Sequence, residues 1–281
     1  MSRDRLIQDA YDDFLLSRKA ALRTQSTLEF YHHTLGRFVK WVPVDDPKDL
    51  SARHVRQFLS TLAESRLTDS TLHAHARSIR AFCRFLLAEE YIGRPIQFEM
   101  PHMAKRIMPR LSLEQVQRLI QASRNAKERA VVLTLLDSGL RRSEVCNLRW
   151  ADVNLETGII LVRSGKGRKD RLAVVGVKTR RALLKWRRQT RHEAQDTVFF
   201  LKPSGLRGLL RRLGDRAGFR ASPHMFRRSF ASLSHAGGMD LISLQALMGH
   251  ASLEQTRAYV NAATATLLAA HERAGPVDRL T

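Results

Sequence analysis

Apolar residues in the first 92 positions recur at three- and four-residue steps. Leu28, Tyr31, Leu35, Phe38, Val39 and Val42 fall on one face of a helix, and Leu72, Ala76, Ile79, Phe82 and Leu86 on one face of another. Leu6, Ala10 and Phe14 give the same rhythm to an earlier helix. Ser51 and Asp69 stand where N-caps of a third and a fourth helix are expected, because a short side-chain oxygen satisfies a free backbone N–H there. Four short helices, each with one apolar stripe, predict a small bundle over 1–92.

The pattern breaks over 93–110. Gly93-Arg94-Pro95, Pro101 and Pro109 interrupt helix periodicity, and Lys105, Arg106 and Arg110 make the stretch basic. It reads as an interdomain linker, either laid along phosphates or simply solvated. Ser112-Leu-Glu-Gln115 restarts helix as a capping box, and a second apolar helix runs through Ala130–Leu136 and stops at Ser138-Gly139. Two β segments follow, Ile159–Val162 and Leu172–Val175, joined by a loop from Ser164 to Asp170, and Val198–Phe200 is expected to add a third short strand. From Gly205 onward the chain reads as short helices, and no internal repeat or low-complexity tract is visible. The expected fold is mainly α with a small antiparallel β-sheet. Its predicted domains are a helical one over 1–92, a linker over 93–110, and a second domain over 111–281 with a C-terminal helical tail.

Charge narrows the function. The chain has 48 Lys and Arg against 27 Asp and Glu, a net of +21. Residues 1–98 hold 15 basic and 12 acidic side chains; residues 99–281 hold 33 and 15, a net of +18. A polyanion, nucleic acid first among them, is the expected partner, with most phosphate contacts made by the second part. The alternative is a basic protein that is merely soluble. Cys83 and Cys146 both lie within apolar helical patterns, which speaks for buried small hydrophobes and against a disulfide framework or a cysteine zinc site. The N-terminus leads into no apolar signal region and no run approaches the length of a membrane span, so a cytoplasmic protein without a membrane partner is expected.

Four scattered elements carry candidate chemistry. In Gly139-Leu-Arg-Arg-Ser-Glu144, Arg141 follows a glycine break and can stand at the start of a new helix, where a guanidinium meets a phosphate with two donors. Glu144, one turn on, can hold neighbouring groups in place; a surface Arg–Glu pair is the plainer alternative. Lys166 sits between Gly165 and Gly167 in the hairpin loop, where the backbone can approach a ligand closely, although an ordinary turn lysine fits equally. A Walker phosphate loop is excluded because its glycine and Ser/Thr positions are not filled. In His224-Met-Phe-Arg227, Pro223 suits the first turn of a helix, so His224 and Arg227 share a face; a zinc reading fails for want of a second histidine or a nearby cysteine. Last come Gly249-His250 and Tyr259, a tyrosine that read alone is an amphipathic helix residue.

Read in order, Arg141, Lys166, His224-x-x-Arg227, His250 and Tyr259 resemble the tyrosine recombinase (phage integrase) family, with an Xer-like, simple two-domain pattern. The surrounding text agrees: SGLRRSEVCNLRWADV, SGKGRKDRLAVV, SPHMFRRSFAS and LMGHASLEQTRAYV. The resemblance covers nearly the whole chain. It implies a core-binding (DNA-binding) domain in the N-terminal part, a catalytic domain over 111–281, and no extra arm-binding domain ahead of residues 1–20. The implied activity is site-specific recombination of double-stranded DNA through a 3′-phosphotyrosyl link to Tyr259. Arg141, Arg227 and His250 would stabilise the transition state, Lys166 would be the general acid, His224 the base or its positioner, and Glu144 a supporting residue. Neither metal nor ATP is called for, because the ester energy is kept. The resemblance also implies two lobes that clamp the duplex, a homo-oligomer that is tetrameric in the synapse, and room for a related recombinase or accessory protein. Lys105, Arg106 and Arg228 are further expected DNA contacts. Arg228 departs from the pattern, since relatives often carry histidine there. The apolar tail around Leu267–Ala270 would dock on a neighbouring protomer or pack on its own domain. A type IB topoisomerase and a DNA-binding protein with a dead active site are the competing classes.

Overall fold

The computed structural model describes residues 6–65, 67–103, 109–163, 170–189, 193–249, 268 and 271–277, apart from the side chain of Leu241. The chain forms two compact units, Met1–Ile107 and Met108–Thr281. It is mainly helical, with one two-stranded antiparallel sheet among the described residues.

The first unit consists of α1 (Ile7–Ala20), α2 (Gln25–Trp41), α3 (Ala52–Glu64) and α4 (Asp69–Ala88). Helix α4 packs against the other three, and α1 also packs on α2. The apolar stripes become one core: Phe14, Leu35, Phe38, Val55, Ile79, Phe82 and Leu86 are all fully buried. Phe14 stands edge-on to Tyr31, Phe82 and Phe85 with ring centroids 4.9, 5.6 and 5.4 Å away. Burying such a side chain stabilises by roughly 1.5–3 kcal/mol, before any aromatic geometry is counted. Ser51 caps α3 in a capping box with His54. The cap of α4 is Thr68 and not Asp69: the Thr68 hydroxyl accepts the N–H of Thr71, and Asp69 is displaced into the first turn, where its charge favours the helix dipole instead.

Over 93–110, where the first unit gives way to the second, the described residues form neither helix nor strand. Their ends are nonetheless held. Phe98 packs against the first core and its carbonyl accepts from the Arg80 guanidinium at 3.1 Å. Arg110 donates to the Ser232 hydroxyl at 2.8 Å, and the N–H of Leu111 to Ser229 at 2.7 Å.

The second unit opens with α5 (Leu113–Gln121), started by the Ser112–Gln115 capping box, then α6 (Ala126–Ser138) and the short α7 (Arg142–Asn147). Strands β1 (Ile159–Val162) and β2 (Arg171–Val174) pair antiparallel, with Ile159 opposite Val174 and Val162 opposite Arg171. Four helices follow: α8 (Val177–Arg187), α9 (Pro203–Ala217), α10 (Pro223–Ala236) and α11 (Leu241–Met248). Helix α6 is the spine, with Ala130–Leu136 buried without interruption and packed against α8 and α10. Asp137 locks this layer: its Oδ2 accepts from the Gly176 N–H and the Thr179 hydroxyl, each at 2.7 Å.

Two further expectations need correction or restriction. Val198–Phe200 is not a third strand. Val198 and Phe199 are both fully buried, against the alternation a half-buried strand requires, and Phe200 has φ +47°, which breaks the extended backbone. Only Thr197 forms an isolated bridge, to Arg149. Of the C-terminal tail, Leu268 and His271–Ala274 are helical. His271 Nε2 lies 3.0 Å from both the carbonyl and Oδ1 of Asp137, and Val277 is buried in the main core, so this part packs on its own unit. Leu267, Ala269 and Ala270 lie outside the described residues.

Candidate active site

The site begins where α6 stops. Gly139 has φ +59°, and a Cβ there would fall 2.4 Å from the Phe230 ring, so only glycine permits the turn. Leu140 is then buried as an anchor, and Arg141 becomes the N-cap of α7. Glu144 returns one turn later: its Oε2 accepts the Arg141 backbone N–H at 2.7 Å and its Oε1 the Arg141 Nη1 at 2.8 Å. What Arg141 presents is therefore its guanidinium, because its own N–H is already satisfied.

Arg227 arrives from α10, whose first residue is Pro223. Arg227 is 8% exposed, and its guanidinium donates to the carbonyls of Gly139 and Met248, both at 2.5 Å. Burial, and after it the nearby Arg141 and Arg171, pull its pKa down to about 10, which still leaves it charged at neutral pH.

Helix α11 gathers the cluster. Its last carbonyls, free of intrahelical partners, point at cations. The Leu247 carbonyl accepts from Arg171, that of Met248 from Arg227, and that of Gly249 from Arg141 at 2.8 Å. Gly249 closes the helix in a left-handed conformation, φ +62°. A Cβ on it would lie 2.3 Å from Arg171 Cδ, so the backbone runs directly over that side chain.

Arg171 is the member that the sequence pattern did not single out. Its Nη2 lies 2.6 Å from Glu144 Oε2. The three guanidinium groups face one carboxylate, leaving a net of +2. Burial works to raise the pKa of Glu144, but Arg171 and then Arg141 hold it below the ordinary carboxylate value, so it stays ionised. A charged residue heading the otherwise apolar Arg171–Val174 strand was the available signal.

His224 lies on α10 one turn before Arg227, largely open to solvent. Its pKa is lowered, first by partial burial and then by Arg228, Arg142 and Arg227, so the ring is neutral at neutral pH. Arg110, His224, Arg227, Arg228, His235 and Met248 line one open cavity of about 720 Å³. Arg141, Glu144 and Arg227 are thus brought together, with His224 and Arg228 beside them. Lys166, His250, Tyr259, Lys105 and Arg106 lie outside the described residues. Among the described residues, no three His, Cys, Asp or Glu side chains group as metal ligands, and no helix is long and apolar enough to cross a membrane.

A pocket with two guanidinium forks over a fixed net positive charge suits a doubly charged phosphorus centre, the business of strand-transferring enzymes. Residues 109–266 match the phage integrase family, and residues 11–92 match the N-terminal SAM-like domain of phage integrases. The tyrosine recombinase XerA of Thermococcus onnurineus is 30% identical over 274 residues, covering 92% of each chain. XerC of Xanthomonas axonopodis pv. citri is 28% identical over 297 residues, covering 95% of this chain and 97% of the relative. In fold, the chain is similar to a lambda integrase dimer bound to a core site (TM-score 0.72, 17% identity, 90% and 94% of the two chains covered). It is also similar to the Tn1549 transposon integrase in complex with circular intermediate DNA (TM-score 0.70, 18% identity, 95% and 99% covered). The chain belongs to the phage integrase family of tyrosine recombinases, the enzymes of site-specific DNA recombination.

Proposed function

We propose that this recombinase cleaves duplex DNA with Tyr259 as nucleophile and holds the broken strand as a 3′-phosphotyrosyl ester. The phenol oxygen attacks phosphorus, the bond to the 5′ oxygen breaks, and the 5′-hydroxyl of a partner strand later reverses the step. Arg141 and Arg227 bind the non-bridging oxygens, and His250 is a third donor. Lys166 gives the leaving oxygen its proton, and His224, neutral at working pH, takes or positions the proton of the phenol. Glu144 orients Arg141. Because the ester is conserved, neither a metal nor ATP enters the balance. Lys105, Arg106 and Arg228 bind the DNA backbone. The active assembly is a tetramer on two duplexes, open to a related recombinase or accessory protein, and the setting is cytoplasmic.

The observation that carries this reading is the convergence of Arg141 and Arg227 on successive carbonyls at the end of α11, one residue ahead of His250 and ten ahead of Tyr259. The test uses a nicked duplex from which the cleaved strand cannot be resealed. Wild type should form an adduct that survives a denaturing gel, and Tyr259→Phe should form none while binding DNA equally well. An adduct of undiminished yield from Tyr259→Phe rules out Tyr259 as nucleophile.

A further inference from the structure

We propose that Arg171, at the start of β2, is a positioning residue for strand cleavage: it neutralises the buried carboxylate of Glu144 and pins the end of α11, leaving the charge of Arg141 and Arg227 undivided for the phosphate. The inference rests on the reading of those two arginines as the phosphate-binding pair.

The geometry is specific to arginine. One terminal nitrogen of Arg171 donates to Glu144 Oε2 at 2.6 Å, and the other to the Leu247 carbonyl. These partners are 27 and 76 residues away in sequence, so a single planar fork ties together three elements distant along the chain, β2, α7 and α11. The fork is 10% exposed and Glu144 is 6% exposed, so water screens the pair little. Gly249 adds an independent sign of fit: its Cα would carry a Cβ only 2.3 Å from Arg171 Cδ and 2.7 Å from Nε. The end of α11 that leads into residue 250 is thus seated on this side chain.

The charge argument decides what that contact does. Glu144 takes two donors from Arg141, its backbone N–H and Nη1. With Arg171 present, a second cation balances the carboxylate and the cluster keeps a net of +2. Without it, Arg141 is the sole cation paired with Glu144, and the net falls to +1. A phosphodiester carries one negative charge at rest, and the five-coordinate state reached by an attacking phenolate carries two. The second charge is what the missing guanidinium would leave unmatched, so the loss falls on the chemical step more than on DNA binding.

Single-turnover adduct formation at saturating protein tests this, with the DNA dissociation constant and the unfolding midpoint measured alongside. Arg171→Gln should slow cleavage by about 100-fold and change the dissociation constant by less than about threefold. Arg171→Lys, which keeps the charge but not the second bond, should fall between Arg171→Gln and wild type. The double variant Arg171→Gln/Glu144→Gln should cleave faster than Arg171→Gln alone, because it removes the uncompensated carboxylate; a mere strut predicts a double variant as slow or slower. Wild-type speed in Arg171→Gln, or no recovery in the double variant, overturns the proposal. If Arg171→Gln does not fold, Arg171→Lys decides, and wild-type speed there has the same consequence. A wild-type enzyme that forms no adduct would instead strike the Tyr259 reading.

Discussion

Gly249→Ala should damage both stability and cleavage, and its cost can be worked from two separate strains. The residue sits at φ +62°, ψ +50°, a conformation that costs an L-residue roughly 1–2 kcal/mol. Its new Cβ would also fall 2.3 Å from Arg171 Cδ and 2.7 Å from Nε. Arg171 must then move, giving up hydrogen bonds to a charged partner worth about 1.5–3 kcal/mol. The sum is about 3–5 kcal/mol, a large part of the total stability of most domains. For a unit of this size it lowers the unfolding midpoint by about 6 °C or more. Gly218→Ala is the internal control. Gly218 also has positive φ, +82°, but nothing lies within 4 Å of the Cβ it would gain, so only the backbone strain is added. Thermal unfolding of both variants isolates the clash as their difference, about 2–3 kcal/mol. Because the Gly249 carbonyl holds the Arg141 guanidinium at 2.8 Å, adduct formation should drop by about tenfold or more in Gly249→Ala. Gly218→Ala should cleave normally. If the two variants lose equal stability, the seating of the α11 end on Arg171 is wrong.

The surroundings of His224 and of His271 each fix a further outcome. The lowered pKa of His224, set by partial burial and then by Arg228, Arg142 and Arg227, keeps the neutral base available to more acid pH than an ordinary histidine. Removing a cationic neighbour raises that pKa, so Arg228→Ala should shift the acid limb of the cleavage rate upward and lose more rate at about pH 6 than at about pH 8. An acid limb unmoved by the substitution, measured at saturating protein, separates His224 from the rate-limiting proton transfer. His271→Ala should leave the buried carbonyl of Asp137 without its 3.0 Å partner, at a cost of about 1–3 kcal/mol, and should free the C-terminal segment from its own unit. Differential scanning calorimetry of wild type and variant reads this directly, and an unchanged midpoint would show that the tail is anchored elsewhere.

The helices were legible because their information is local. Leu35, Phe38 and Val39, or Ile79, Phe82 and Leu86, announce a buried face through spacing alone, and all of them are buried. The turn that presents Arg141 was legible for a similar reason: Gly139 follows an unbroken apolar helix, and a stop there obliges the next residues to begin again. Local signals also failed in instructive ways. Asp69 carries a good capping oxygen, but Thr68, one step earlier, already holds the position. Val198 and Phe199 have high strand propensity, yet both are buried side by side by tertiary packing, and a positive φ at Phe200 ends any strand.

Arg171 shows the deeper boundary. From its neighbours it is a polar residue opening a short strand, and nothing within ten residues reveals its partners. Its meaning depends on Glu144 and Leu247, which only the folded chain brings to it. The residues that touch a ligand can be read from motif spacing, since chemistry constrains their type. The residues that aim them are chosen by distance in space, and any side chain that fits can serve. That is why the carboxylate at 144 could be read as a support, one turn from its arginine, while the cation that balances it could not. A cluster of like charges is stable only where each is tied to something fixed. Here the ties are three carbonyls in a row, so the end of α11 sets both the stability of the site and the direction of its charge.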